Sequence, residues 1–142
     1  MAKENIIALK PSEIKELIKQ RWTNRHIKTR PLCIVGHKGI GKTDIIRQCA
    51  EELSKEQNLP VECRTLNLQF CEPPDFLGLP IVTQDEDGKP LTVHARPQLL
   101  PTKGYGIWFF DEANRCHRDA RAGMLTILQD RNVNGHAVGS GW

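Results

Sequence analysis

Gly36-His37-Lys38-Gly39-Ile40-Gly41-Lys42-Thr43 follows the spacing G-x-x-x-x-G-K-[ST], and that spacing carries a mechanism. Glycines let backbone N–H groups converge on phosphate oxygens. The lysine brings positive charge to the outer phosphates, and the threonine hydroxyl helps to hold Mg2+. The flanks agree with this reading. Pro31-Leu32-Cys33-Ile34-Val35 reads as a short buried strand, and residues 43–58 place Ile45, Ile46, Cys49, Ala50 and Leu53 on one helical face. Strand, glycine loop and helix, in that order, form the setting the pattern requires. The residues expected to touch a nucleotide are therefore Gly36, His37, Lys38, Gly39, Ile40, Gly41, Lys42, Thr43 and Asp44. The plainer alternative is a glycine turn without a ligand.

Ile107-Trp108-Phe109-Phe110 is the most apolar run and ends in Asp111-Glu112. We read it as a central strand that delivers two carboxylates at its C-terminal edge, where ligands of open α/β sheets sit. Asp111 is then expected to hold Mg2+ beside Thr43, and Glu112 to orient and deprotonate the water that attacks a γ-phosphate. Lys42 joins Glu112 as a catalytic candidate because its charge lies on the phosphates. The plainer alternative has the two acids capping the next segment in a turn.

The rest of the chain supports a single modest domain. Its 142 residues suffice for one core, and 39% hydrophobic with 26% charged residues is ordinary for a soluble globular protein. A net charge of +3 permits contact with nucleic acid or polyphosphate but argues for neither. Cys33, Cys49, Cys63, Cys71 and Cys116 form no C-x-x-C pair, which favours reduced thiols in the cytoplasm over a disulfide scaffold. His26, His37, His94, His117 and His136 lack ligand spacing. No apolar run approaches a membrane span, and the N-terminus lacks the apolar segment of a secretion signal.

Ser12 is the expected N-cap of a first helix with Ile14, Leu17, Ile18 and Trp22 as its apolar stripe. A basic linker over residues 23–30 follows, read as solvated or as a wall of an adenine pocket. Residues 61–68 alternate as a strand. Pro73-Pro74-Asp75-Phe76-Leu77-Gly78-Leu79-Pro80 allows at most a short helical turn. Ile81-Val82-Thr83 and Leu91-Thr92-Val93 flank a polar tip with Asp87-Gly88, the pattern of a β-hairpin. A last helix spans residues 118–130, with Ala120, Met124, Leu125 and Leu128 inward.

Together the glycine loop, Asp75-Phe76-Leu77-Gly78-Leu79-Pro80 and Asp111-Glu112-Ala113-Asn114-Arg115 resemble the AAA+ ATPases, specifically the MoxR-like branch. The resemblance covers residues 11–142. It implies an α/β fold of P-loop NTPase type, three layers around a sheet of five parallel strands, with a β-hairpin inserted between the last two motifs. It also implies ATP and Mg2+ as cofactors, ATP hydrolysis, a homo-oligomeric ring (commonly a hexamer), and remodelling of a protein partner, often with a von Willebrand A domain protein. Asn67, near the end of the second strand, matches a polar position that contacts the catalytic glutamate; the bland reading is a strand-end polar residue. Arg115, Arg118 and Arg121 either face a neighbouring subunit's nucleotide or form a solvated helix start.

Phe76-Leu77-Gly78 also looks like the pore loop of protein-threading relatives, but the same residues belong to the proline-rich motif. Asp75-Phe76-Leu77-Gly78 fits the D-x-x-G of GTPases, whose guanine-reading N-K-x-D is absent. The family's polar sensor strand, arginine finger and helical lid would follow Trp142. The resemblance thus makes residues 1–142 a partial, C-terminally truncated module: helix and linker over 1–30, then loop, Asp-Glu strand and following helix over 31–142. Such a chain is expected to be marginally stable and a poor hydrolase by itself. The alternative function is a non-catalytic nucleotide-binding or interaction module, or an inactive fragment.

Overall fold

The computed structural model describes residues 7–27 and 30–142. The first helix, α1, runs Pro11–Thr23 and starts on a proline, whose missing N–H costs nothing at the first helical position. Pro11 therefore moves the start ahead of Ser12, and Lys10 takes the cap position in its place. The Lys10 N–H donates to the Glu13 carboxylate at 2.6 Å. Ile18 and Trp22 are buried, with Ile14 and Leu17 half-buried beside them. The linker read over residues 23–30 includes Lys28 and Thr29, which lie outside the described residues, as do residues 1–6.

The second helix, α2, spans Lys42–Gln57 and stops at Asn58 in a left-handed conformation. Ile46, Cys49, Ala50 and Leu53 are buried as their spacing requires, and Ile45 is half-buried. Charge ties α2 to α1. Glu52 accepts from Lys15 at 2.8 Å and Lys19 at 2.7 Å, and Lys19 also reaches Glu56 at 2.6 Å. These bonds, that from Lys15 first, hold the Glu52 carboxyl down at about 2. The bond to Glu52 raises Lys19 above its usual range.

Next come β1 (Val61–Asn67), a 3-10 turn (Leu68–Phe70) and the short helix α3 (Pro73–Leu77). Strands β2 (Pro80–Gln84) and β3 (Pro90–His94) pair antiparallel as the read hairpin. Asp85 Oδ1 holds the tip by accepting from the N–H groups of Asp87 at 3.0 Å and Lys89 at 2.8 Å. Strand β4 (Tyr105–Asp111), a second 3-10 turn (Ala113–Arg115) and α4 (Arg118–Asp130) follow. A small hairpin of β5 (Asn132–Val133) and β6 (His136–Ala137) turns on Asn134-Gly135. Asn-Gly is the strongest short hairpin signal, and the sequence reading passed over it.

β1 and β4 lie parallel, in register from Val61↔Tyr105 to Asn67↔Asp111. Alternation along β4 then sorts its side chains. Ile107 and Phe109 pack against the buried residues of α1 and α2, whereas Trp108 and Phe110 pack with Phe76, Ala120, Met124 and Ile127. The result is three layers, helices on both faces of a parallel pair. Gly123 lets α4 close on α3: a Cβ there would stand 2.9 Å from Phe76 Cβ.

Three expectations are corrected here. Residues 31–35 form no strand, and all but Ile34 are exposed. A strand needs a ladder, and no described strand lies beside this segment. For the same reason β4 is not central among the described residues, since β1 is its one strand partner. Leu125 is 44% exposed. Ala120, Gly123, Met124 and Ile127 define the inner face of α4, and Leu125 sits about 100° around from Met124.

Candidate functional site

Gly39 and Gly41 take φ of 79° and 86°, a region that side chains rarely tolerate. The sequence places glycine where the loop turns left-handed. Gly41 is also the N-cap of α2 and supplies no capping side chain. The first amides of a 16-residue helix therefore open toward the loop, an arrangement suited to anions. Lys42 folds over the loop, and its Nζ donates to the carbonyls of Gly36 at 2.8 Å and His37 at 3.0 Å. His37, Lys38 and Ile40 are exposed. Asp44 lies exposed on the first turn, 3.8 Å from Arg47 Nη1.

The decisive contact joins residues 68 apart in the chain. Thr43 Oγ1 donates to Asp111 Oδ2 at 3.3 Å, which joins the helix after the loop to the end of β4. The other Asp111 oxygen accepts the Glu112 N–H at 2.8 Å. These are hard oxygen donors few in number. They fit Mg2+, which binds few carboxylates and keeps waters or phosphate oxygens for its other positions. No group of three or more His, Cys, Asp or Glu side chains placed to hold a metal occurs among the described residues. The glycine loop and Lys42 in turn fit a polyphosphate.

Glu112 takes φ 54° and ψ 36°, a left-handed conformation that costs a non-glycine residue roughly 1 kcal/mol or more. It turns the chain sharply out of β4 into the 3-10 turn. Its Oε2 lies 3.3 Å from Arg115 Nε, and its carbonyl accepts the Arg115 N–H at 2.8 Å. Arg121, from α4, donates through Nη2 to the carbonyls of Asn114 at 3.3 Å and Cys116 at 3.2 Å. Arg118 is exposed at the start of α4. Sequence reasoning missed both internal engagements. The Glu112–Arg115 pair had a signal, opposite charges three residues apart. The Arg121 contacts had none.

Asn67 lies opposite Asp111 in the ladder. Its Oδ1 accepts from the Gln69 N–H at 3.0 Å and caps the first 3-10 turn. No hydrogen bond joins its side chain to Glu112 among the described residues, so the anticipated contact is not made. Phe76 is fully buried, with its ring centroid 6.4 Å from that of Phe110. It belongs to the core and not to a pore. Gly78 (φ 74°) is required because a Cβ there would collide with the Ala95 carbonyl. Beneath the two 3-10 turns, Cys71 and Cys116 share one apolar cluster, and burial pushes the Cys71 thiol up.

The model of the family described as AAA domain (dynein-related subfamily) matches residues 31–138. No curated protein and no solved structure matches the chain. The match starts at the segment before the glycine loop and extends past α4, so it takes in both halves of the site. The chain belongs to this AAA family, whose domains are of nucleotide-binding ATPase type.

Proposed function

We propose that this AAA chain binds ATP with Mg2+ and hydrolyses it, as a MoxR-like ATPase that remodels a protein partner. The observation that carries the reading is the 3.3 Å contact between Thr43 and Asp111, which brings the glycine loop and the Asp-Glu strand end together. Loop amides and Lys42 hold the phosphates. Thr43 and Asp111 would hold the metal, which when bound neutralises phosphate charge. Glu112 orients the attacking water and accepts its proton. Asn67 lies opposite Asp111 in the ladder and would serve Glu112 only by giving up the Gln69 N–H that its oxygen caps.

The order of Asp75-to-Pro80, hairpin and Asp111-to-Arg115 supports the MoxR-like branch. With it come an inserted role for the β2–β3 hairpin, a hexameric ring and a von Willebrand A domain partner. Cytoplasmic residence accords with five free cysteines. No helix among the described residues is long and apolar enough to cross a membrane.

ATP binding and turnover, measured for the chain, Lys42→Ala and Glu112→Gln, test the proposal. Lys42→Ala should abolish binding. Glu112→Gln should preserve binding and lower kcat roughly 10²–10⁴-fold. Absence of ATP binding in the unaltered chain would sink the reading. Binding without turnover would select a second one, a non-catalytic nucleotide-binding module. One observation favours that second reading: the Glu112 carboxylate is engaged by Arg115.

A further inference from the structure

Strand β4 begins at Tyr105 and ends at Asp111, so its two ends stand about 20 Å apart. The end at Asp111 serves the glycine loop. The end at Tyr105 gathers cations that the site does not use: Arg21 and Arg25 from α1 and its linker, Arg64 from β1, and Arg96 and Lys103 from the segment before β4. These are five of the chain's 20 lysines and arginines. Glu62, 3.2 Å from Arg64, is the one acid of 17 that pairs with them among the described residues. We propose that this end of the sheet binds an acidic polypeptide segment, whose carboxylates are taken up by Arg21, Arg25, Arg96 and Lys103.

Neutral groups hold these cations in place. Trp22 Nε1 donates to the Gly106 carbonyl at 3.2 Å, and Trp142 Nε1 to the Lys103 carbonyl at 2.9 Å, so the two indoles floor the surface around Gly106. The Arg25 guanidinium lies 3.7 Å from the centre of the Trp22 ring and 5.4 Å from that of Tyr105. Arg64 lies 4.7 Å from the Trp142 ring. Arg21 donates to the Arg30 carbonyl at 3.2 Å, Arg25 to the Trp22 carbonyl at 3.0 Å, and Arg96 to the Thr102 hydroxyl at 3.0 Å. Carbonyls, a hydroxyl and aromatic faces orient a guanidinium without cancelling its charge, so little ordering is left for the moment of binding. Arg25 Nε is buried with no acceptor among the described residues. A carboxylate oxygen supplies one once Tyr105, 43% exposed, turns aside.

The same surface does not suit nucleic acid. Strand binding without base pairing uses exposed aromatic faces as stacking platforms. Trp22 and Trp142 are buried beneath the arginines, which leaves Tyr105 alone at the surface. The net charge of +3 and pI near 8.7 also fall short of a nucleic-acid footprint. Separate guanidinium forks match separate carboxylates on flexible stems. The inference does not depend on the nucleotide reading, whose experiments address the opposite end of β4.

The test follows the indole N–H resonances of the whole chain by nitrogen-15 NMR, assigned with Trp108→Phe and Trp142→Phe, as an oligoglutamate peptide is added. The Trp22 and Trp142 signals should move, and that of Trp108, which packs in the cluster under α4, should stay. Arg96→Glu and Lys103→Glu, both at exposed positions, should each raise the Kd of the peptide about 3- to 10-fold with an unchanged urea midpoint. Lys89→Glu makes the same charge change at the tip of the β2–β3 hairpin and should leave the Kd alone. Absence of binding, or a loss in Lys89→Glu equal to that in the other two variants, would overturn the surface. Tighter binding of oligothymidylate than of oligoglutamate would overturn the acidic polypeptide in favour of nucleic acid.

Discussion

Ile107-Trp108-Phe109-Phe110 and Pro31-Leu32-Cys33-Ile34-Val35 are both apolar runs that lead directly into residues of the site, and they meet opposite ends. The first forms the middle of β4, half-buried, with β1 bonded along its length. The second reaches the glycine loop with no ladder at all. Val35 is 73% exposed, and Ile34 alone packs against the cluster of Ile18, Ile46 and Cys49. Hydrophobicity does not separate the two segments; a partner does. Backbone N–H and C=O groups along an extended chain must find acceptors and donors. Only β4 has a described strand to supply them.

The strongest way to break this contrast is to damage the β1–β4 ladder. A Cβ at Gly106 would stand 2.5 Å from the Trp142 ring and 2.6 Å from the Glu62 carbonyl on β1. Gly106→Val should therefore cost about 3 kcal/mol or more, read as a lowered urea midpoint by tryptophan fluorescence. An unchanged midpoint would show that the ladder does not carry the fold. Ile34→Ala probes the one inward residue of the other segment. Because Ile34 is only half-buried, the expected loss is about 1 kcal/mol, below the range for fully buried positions.

A smaller effect should come from pH, acting on the clamp between α1 and α2, the two helices whose buried residues Ile34 packs against. The folded pKa of Glu52, about 2, lies below its usual 4.5. Its contribution is therefore whole above about pH 4.5 and fades as pH falls toward 2. Lys19 is shifted upward from 10.5, so its contribution is whole below that value and is lost as pH climbs through the raised one. Both groups are near the surface, so the acid loss is modest. It should shrink in Glu52→Gln when thermal midpoints are compared between pH 6 and pH 3. An equal acid loss in the variant would remove the clamp from the account. Smallest of all, Val35→Asp should change stability by less than about 0.5 kcal/mol. A loss comparable with that of Gly106→Val would mean that residues 31–35 pair as a strand in solution.

The parts of the fold that were legible beforehand share a physical trait. The spacing predicts the last helix over residues 118–130, and it occupies Arg118–Asp130. The helix after the loop, the short turn at Pro73–Leu77 and the β2–β3 hairpin also stand where their spacing put them. Each is closed by bonds among neighbours in sequence, so a local pattern is enough. Ser12 failed as a cap for an equally local reason, because Pro11 had already set the helix start. Residues 31–35 failed for a remote one.

The site divides along the same line. By itself the sequence determined which residue types are present for phosphate chemistry: glycines at the two left-handed positions, Lys42, Thr43, and two acids after an apolar run. Only tertiary structure decided how they meet. Thr43 and Asp111 are 68 residues apart and touch because α2 packs on the sheet that ends at Asp111. Asn67 sits opposite Asp111, yet commits its oxygen to the next turn. Glu112 meets Arg115 because a left-handed residue reverses the chain at the strand end. Helices, turns and loop glycines answer to nearest neighbours. Strand pairing and side-chain partnership depend on which distant segment the core brings alongside.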